Sequence, residues 1–307
     1  LDGLPKIDEL VKKAKSMGYK ALALTDHGNM YGAIEFYECC LKEGIKPIIG
    51  MEAYMAPGSR FDKDKDDRYY HLILLAENYI GYKNLMKLSS LANLEGFYYK
   101  PRMDKELLKQ YHEGLIASSA CLSGEIPWIL HKEDNFEKAK KVALEYREIF
   151  GAGNFYLEMM DLPALEGQME LNTKLVQLSK ETGIPLIVTR DSHYLESNDA
   201  EAQDILTCIR DGRTLDEDNR LSMSAIDLSL ALSQEIIGRF KHVPEALENT
   251  VKIAERVNLV LELNKWHFPA IDIPEGKTAN QYLREQVYEK LPKLIEMTEE
   301  VKKRVDY

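Results

Sequence analysis

Short apolar runs with the length of buried strands alternate with segments of helical periodicity through the first two thirds of the chain. The expected strands are KALALT at 20–25 and the runs at 46–49, 71–76, 114–118, 155–159 and 185–189. Apolar residues recur at helical spacing between them, as over 5–17, 30–43 and 81–93. The alternation predicts an α/β fold, with a parallel sheet that is either open or closed into a barrel and has helices outside.

The last third of the chain is predicted to be helical. Segments 198–210, 233–240 and 244–257 have helical patterns. The stretch KWHFPAIDIPEG at 265–276 contains two prolines and is typical of a linker. A final helical pattern begins near Thr278 and is still running at Tyr307, which suggests that the chain is part of a longer protein.

Composition excludes several classes of protein. No apolar run approaches the roughly 20 residues of a membrane span, and four cysteines in 307 residues do not form a disulfide framework, which fits a reducing cytosol. The net charge of −11 is unlike that of a basic domain that coats nucleic acid. Action on nucleic acid through bound metal remains open, because metal ions reverse the local sign of charge.

The ends of the predicted strands carry side chains that bind metals. These are Asp26, His27, Glu52, His71, Cys121, Asp191 and His193, and Asp2 lies before the first helix. Each by itself is more often a loop carboxylate, a hydrogen-bonded histidine or a small buried thiol. Together, at the strand ends where α/β folds gather functional groups, they predict a metal site for zinc, manganese or iron.

A separate cluster combines aromatic and basic side chains over 97–102, FYYKPR. Tyr98 and Tyr99 are candidates to stack on unpaired bases, and Lys100 and Arg102 are candidates to hold phosphates. The alternative is a packed loop with two solvated charges, and the residues alone slightly favour this alternative.

Several segments closely resemble the PHP (polymerase and histidinol phosphatase) domain of bacterial DNA polymerase III alpha subunits. They are ALTDHGNMYGAIEFYECCLKEGIKPIIGMEAY at 21–54, GFYYKPRMDKELL at 96–108, ACLSGEIP at 120–127, GIPLIVTRDSHYL at 183–195 and AEAQDILTCIRDGRTLDEDNRLSM at 200–223. The Asp-His-Gly and Asp-x-His pieces occur across PHP domains, whereas FYYKPR and CLSGE are typical of the polymerases. The resemblance extends over essentially the whole chain.

This resemblance implies a distorted β/α barrel of about seven strands with a helical C-terminal extension. The PHP domain is expected over 1–270, and 271–307 is expected to be a linker and helix leading toward the polymerase palm. The family holds up to three divalent metals with nine ligands. Seven ligands fall on Asp2, His27, Glu52, His71, Cys121, Asp191 and His193. The other two belong to a His-x-His motif expected just before Leu1, and Arg190 stands where the family more often has Asn.

The implied activity is metal-dependent phosphodiester hydrolysis, a 3′→5′ proofreading exonuclease within a DNA-directed DNA polymerase of the bacterial cytoplasm and nucleoid. Asp191 is expected to bridge metals, and Asp26 either to orient His27 or a water, or to be a turn carboxylate. Expected partners are the 3′ end of single-stranded DNA, the rest of the polymerase chain, and replisome subunits such as a sliding clamp. The 307 residues alone are expected to be inactive or poorly active, because they lack two ligands.

Two other functions fit the same resemblance. One is a catalytically silent module that supports the polymerase and docks a separate proofreading exonuclease subunit. The retained ligands argue against silence but leave docking open. The other is a free-standing phosphatase for a small phosphoester such as histidinol phosphate, against which the FYYKPR segment and the helical tail argue.

Overall fold

A curved mixed β-sheet forms the centre of the chain in the computed structural model, which describes residues 2–64, 68–266, 268 and 270–307. The chain divides into two compact units, Leu1–Leu261 and Glu262–Tyr307. The strands are β1 Ala21–Leu24, β2 Lys46–Met55, β3 Tyr70–Ala76, β4 Phe97–Tyr98, β5 Lys100–Met103, β6 Leu115–Ser118, β7 Phe155–Met160 and β8 Leu186–Thr189.

Helices surround this sheet in the first unit. They are α1 Ile7–Ser16, α2 Ala33–Glu43, α3 Tyr79–Leu94, α4 Lys105–Tyr111, α5 Glu125–Trp128, α6 Phe136–Phe150, α7 Gln168–Thr182, α8 Ala200–Asp211, α9 Ser233–Phe240 and α10 Pro244–Arg256. A π-helical turn, Ile129–Glu133, continues α5, and a 3-10 turn, Ser197–Asp199, precedes α8. The sheet and helices form a half-barrel, so the predicted distorted β/α barrel is confirmed.

The expectation of an all-parallel sheet was wrong. The strand order is β4-β5-β2-β3-β6-β7-β8, with β1 also paired to β2. Strand β3 runs antiparallel to both β2 and β6, and β4 is antiparallel to β5, whereas the other pairs are parallel. The physical reason is that the described residues between β2 and β3, 56–64, 68 and 69, contain no helix, so β3 returns as an antiparallel neighbour of β2.

Strand β2 organises the sheet because it is long enough to pair with several neighbours. Along one edge, the second half of β2 pairs with β3. Along the other edge, residues 46–49 pair with β1, Glu52 forms a parallel bridge with His27, and Tyr54 and Met55 pair with β5. The end of β1 and the β4–β5 hairpin therefore lie next to each other along β2.

Local sequence sets the ends of the helices that face the sheet. Asn78 caps α3 by accepting hydrogen bonds from the backbone N–H groups of Ile80 and Gly81. Asp104 caps α4 by accepting a hydrogen bond from the backbone N–H of Leu107. Pro244 begins α10, at a position where the backbone N–H has no partner within the helix and its absence loses no hydrogen bond. Leu85 and Leu88 of α3 are fully buried.

In the described part of the chain, none of the helices combines the length and apolar character that a membrane crossing requires.

The second unit, Glu262–Tyr307, contains two short helices, α11 Ala279–Lys290 and α12 Glu299–Asp306. The sequence predicted one continuous helix from Thr278. Instead a 3-10 turn, Leu291–Lys293, follows α11 and ends the helical path, because Pro292 cannot donate a backbone hydrogen bond. Thr278 caps α11 and Thr298 caps α12. The described residues of the predicted linker, 265–276, contain no helix or strand.

Candidate metal centre

The antiparallel pair of β2 and β3 places an acid and an imidazole on one face of the sheet. Tyr54 lies directly opposite His71, and Ile73 lies directly opposite Glu52. Residues two apart on a strand share a face, so Glu52 and His71 point to the same side. The result is a diagonal pair in which Oε1 of Glu52 lies 3.1 Å from Nδ1 of His71.

Cys121 completes a first trio with this pair. Its Sγ atom lies 3.4 Å from Nδ1 of His71. The loop after β6 brings it there, because Gly124 of this loop forms a parallel bridge with His71 and Ser123 accepts the backbone N–H of His71 at 3.0 Å. One ligand atom from each of Glu52, His71 and Cys121 lies within 4.8 Å of the other two.

Asp2, His27 and His193 form a second trio, whose ligand atoms also lie within 4.8 Å of one another. Nε2 of His27 is 3.2 Å from the carboxylate of Asp2. The N-terminal segment is fixed beside the loop after β8 because the backbone N–H of Leu4 donates to the carbonyl of His193 at 2.8 Å. Three segments that are distant in sequence thus supply one group of ligands.

The two trios are adjacent and share a contact. Glu52 hydrogen-bonds through Oε2 to Nδ1 of His27, so its carboxylate touches one imidazole of each trio. The ring centres of His27 and His71 are 6.1 Å apart, and those of His27 and His193 are 6.2 Å apart. Asp191 lies beside the second trio, with Oδ1 3.6 Å from Nδ1 of His193.

These contacts shift the protonation of the trios. Burial by itself lowers the pKa of His27, but hydrogen bonds to Asp2 and Glu52 outweigh it and raise this pKa to about 10. For Glu52, burial raises the pKa, yet hydrogen bonds to His27 and His71 lower it to about 2. Burial raises the pKa of the Cys121 thiol well above its usual value, and the nearby charge of Glu52 adds to the effect. The Glu52 carboxylate is therefore ionised, whereas His27 and Cys121 hold protons at neutral pH.

The residue types and their spacing fit a metal centre. Imidazole nitrogen, thiolate sulfur and carboxylate oxygen are the ligands of zinc, iron and manganese in proteins. Two groups with all ligand atoms inside 4.8 Å, joined by one carboxylate, are each compact enough to surround a cation.

Comparison with known proteins agrees with this geometry. The PHP domain family matches residues 1–162, which is more than half of the chain. The chain belongs to the PHP domain family. It is 44% identical to the DNA polymerase III subunit alpha of Treponema pallidum over 312 residues, and 44% identical to that of Borreliella burgdorferi over 313 residues. Both alignments cover 100% of this chain but only 26% and 27% of those proteins, so it spans about a quarter of their length.

Among solved structures, an amidohydrolase from Chromobacterium violaceum aligns with a TM-score of 0.41 and 13% identity. The alignment covers 62% of this chain and 84% of that one. A similarity of this size says nothing about the activity of this PHP domain.

Two residues beside the candidate ligands of this PHP domain have structural contacts. Asp26 accepts a hydrogen bond from the backbone N–H of Gly32 at 3.2 Å, just before α2. This contact is that of a turn carboxylate, one of the two roles that the sequence left open. Arg190, next to Asp191, is 7% exposed and binds Asp161 and Asp227. It fastens the loop that carries Asp191 to the end of β7.

The FYYKPR segment is the β4–β5 hairpin, which the sequence did not predict as strands. Tyr99, with a φ of 58°, makes the turn and is 75% exposed, and its ring lies 4.7 Å from that of Tyr98. Nζ of Lys100 lies 5.3 Å from the centre of the Tyr54 ring, which in turn stacks on His27 at 6.4 Å. The hairpin therefore borders the second trio.

Close approach of this hairpin to the metal centre depends on Gly28. Its φ of 67° is in the left-handed region, and an added Cβ would lie 2.8 Å from the Tyr54 ring and 2.9 Å from Pro101. Arg102, by contrast, is only 2% exposed, and its guanidinium donates to the carbonyls of Gly96 and Asp62. Its donors serve packing of the hairpin and do not face solvent.

Sequence reasoning missed three polar residues around the PHP centre. Gln203 and Arg210 of α8 contact Asp2, and Glu158 of β7 is buried and accepts hydrogen bonds from Ser118 and Thr189. Burial raises the pKa of Glu158. Glu158 had a readable signal, since it is an acid within the apolar strand FYLEMM. Arg210 had none, because an arginine near the end of a polar helix resembles a surface residue.

Proposed function

We propose that this PHP domain binds divalent metals and hydrolyses phosphodiester bonds at the 3′ end of DNA, as the proofreading site of a DNA polymerase III alpha subunit. The observation that supports it is the pair of adjacent trios joined through Glu52. Metal-dependent phosphodiester hydrolysis uses neighbouring cations around one phosphate. The strong similarity to polymerase alpha subunits supplies the substrate class.

Asp2, His27 and His193 would hold one metal, and Glu52, His71 and Cys121 another, with up to three in total. Cys121 favours zinc or iron, whereas the three carboxylates of the centre also suit manganese. When bound, such metals lower the pKa of water and offset the charge of the phosphate.

The carboxylates of this centre would act as bridges. Glu52 directs one oxygen to His27 and the other to His71, so each oxygen faces a different trio. Asp191, whose Oδ1 lies beside His193, would act as a second bridge. In this proposal Asp191 is the residue on which hydrolysis depends most, and Asp26 supports the turn before α2.

The β4–β5 hairpin would guide the DNA strand to the centre. Tyr99 offers an exposed ring for base stacking, with Tyr98 behind it, and Lys100 supplies positive charge on the side of His27. Arg102 is left out of this role because it is buried. The strand end would then reach the second trio past Tyr54.

The remainder of the polymerase chain would be the principal partner, in the bacterial cytoplasm beside the nucleoid. The similar alpha subunits are nearly four times as long as this chain, so most of their sequence lies outside the aligned part. A proofreading exonuclease subunit and a sliding clamp are further proposed partners.

The test uses the full-length protein that carries this chain, loaded with zinc, manganese or iron and given a single-stranded oligonucleotide with a 3′ label. Asp191→Ala is expected to lower the hydrolysis rate at least about 100-fold, as expected when a bridging ligand is lost. Asp216→Ala, in an exposed loop, is the matched control and should hydrolyse normally.

Other outcomes would separate the competing functions. A metal-free protein without hydrolysis that binds an exonuclease subunit would replace this proposal with a structural role. Turnover of histidinol phosphate without hydrolysis of DNA would replace it with a small-molecule phosphatase.

A further inference from the structure

Arg210, near the C-terminal end of helix α8, contacts a member of the second trio. Nη1 of Arg210 lies 2.6 Å from Oδ2 of Asp2. The same helix holds the backbone of Asp2, because Nε2 of Gln203 donates to its carbonyl at 3.2 Å. Gln203 is 1% exposed, which fixes this part of α8 firmly against the N-terminal segment. Helix α8 lies beyond residues 1–162, the part of the chain that matches the PHP family.

Asp211 determines which edge of the arginine faces the trio. Its two carboxylate oxygens accept from Nε and Nη2 of Arg210 at 2.7 and 2.9 Å. This two-point contact uses one edge of the planar guanidinium and fixes its orientation. The Nη1 end is left pointing at Asp2, and the side chain of Arg210 is 24% exposed, so an anion can reach it from solvent.

The charge of Arg210 is of the wrong sign for holding a metal. A guanidinium remains positive at any ordinary pH and repels a divalent cation a few ångströms away. It suits an anion instead. Once a cation neutralises the charge of Asp2, the attraction between Asp2 and Arg210 weakens, and the Nη1 hydrogens become available to a second acceptor. Phosphate is the acceptor whose geometry a guanidinium fits best.

We propose that Arg210 contacts a phosphate oxygen of the nucleic-acid end bound at the metal centre, with Asp211 as the residue that orients it. The inference rests on the proposed phosphodiesterase function and adds a specific substrate contact to it. Lys100 lies on the same side, near the Tyr54 ring, and extends the positive charge along the path of the strand. The end of α8 is thus part of the substrate site.

The test measures binding and metal content separately in the full-length protein. The probes are inorganic phosphate and a single-stranded oligonucleotide with phosphorothioate linkages that resist hydrolysis. Arg210→Ala is expected to weaken binding of the oligonucleotide about 10- to 100-fold, the effect of losing a hydrogen bond from a charged donor. It should also reduce the salt dependence of binding by about one charge.

Three further variants define the role. Arg210→Lys keeps the charge but loses the two-point contact with Asp211, so its affinity should fall between those of Arg210→Ala and the parent protein. Asp211→Asn should weaken binding while metal content is kept. Arg213→Ala, at an exposed pair with Glu217, is the control and should bind like the parent. A larger loss for the oligonucleotide than for inorganic phosphate indicates a nucleic-acid end, and the reverse would overturn that part.

Unchanged oligonucleotide affinity in Arg210→Ala would overturn the proposal. A loss of metal in step with the loss of binding would also overturn it, because Arg210 would then serve only to position Asp2. If the parent protein binds the oligonucleotide through Arg210 but never hydrolyses DNA, the proposed function fails and this contact stands.

Discussion

Glu52 and His27 are joined twice, once through the backbone and once through side chains. Their backbones form a parallel bridge, in which Glu52 donates to the carbonyl of Asp26 at 3.0 Å and accepts from Gly28 at 2.8 Å. Their side chains meet through Oε2 and Nδ1. Because the backbone contacts fix the loop after β1, the position of His27 does not depend on the carboxylate alone.

The first prediction follows from this double contact. Glu52→Gln should keep the fold but lose metal from both trios, because an amide has the shape of the acid without its charge. Metal per chain, measured by mass spectrometry after gel filtration, should fall by at least half. Glu43→Gln, at an exposed pair with Lys15, is the control and should retain full metal content. Full metal content in Glu52→Gln would show that this carboxylate is not a ligand.

The second prediction concerns protons. The pKa of His27 is raised to about 10 and that of Cys121 lies well above its usual value, so both hold protons at pH 7. Ligands must be deprotonated, so metal binding should release about two protons at neutral pH, and metal affinity should rise with pH from pH 7 to pH 10. Titration calorimetry in buffers of different ionisation enthalpy measures the release.

Cys121→Ser provides the matched control, since its hydroxyl has no proton to lose in this range. Release should then fall to about one proton, which belongs to His27. Release that is independent of pH and equal in both proteins would contradict the assignment.

The alternation of strands and helices was enough to predict where most of the candidate ligands lie relative to the strands. Five of the six predicted strands appear near their expected bounds, whereas β2 continues six residues past 49, so Glu52 lies within that strand and not after its end. His27 and His193 fall in one trio, and Glu52, His71 and Cys121 fall in the other. A buried strand and its ligand residue are both local features of sequence. The direction of β3 was not predictable in the same way, because strand pairing depends on contacts between distant segments.

The β4–β5 hairpin and the contact between Arg210 and Asp2 were also not predictable from local sequence. Strands of two and four residues around Pro101 are too short to give a period, and the left-handed turn at Tyr99 is unusual for a residue other than glycine. Arg210 reaches Asp2 across 208 positions of sequence. Only the packing of α8 against the N-terminal segment creates that contact.

The third prediction concerns Arg190, a position at which the family resemblance implies Asn. Its guanidinium shares the buried Asp161 with Arg239. It also donates hydrogen bonds to the carbonyls of Asp227 and Ser229. Arg190→Asn should lower the free energy of unfolding by about 3 kcal/mol, as expected for a broken buried pair. Urea unfolding of the metal-free protein measures it.

Arg213→Asn makes the same substitution at an exposed pair and should leave the unfolding midpoint unchanged. If Arg190→Asn unfolds at the same urea concentration as the parent, Asp161 is adequately balanced by Arg239 alone. The loop that carries Asp191 would then be held by other contacts.

The last prediction separates the two ends of the FYYKPR segment. Tyr99→Ala should weaken binding of a single-stranded oligonucleotide by about 1–3 kcal/mol, the usual value of one stacked base, and leave stability unchanged because the ring is 75% exposed. Arg102→Ala should do the opposite, since loss of the buried guanidinium removes its donor to the carbonyl of Asp62 and leaves the carbonyl of Gly96 with only the backbone N–H of residue 102. Fluorescence anisotropy and urea unfolding measure the two effects on both variants. Equal loss of DNA affinity in the two variants, after correction for folding, would mean that the hairpin supports the centre without contacting the strand.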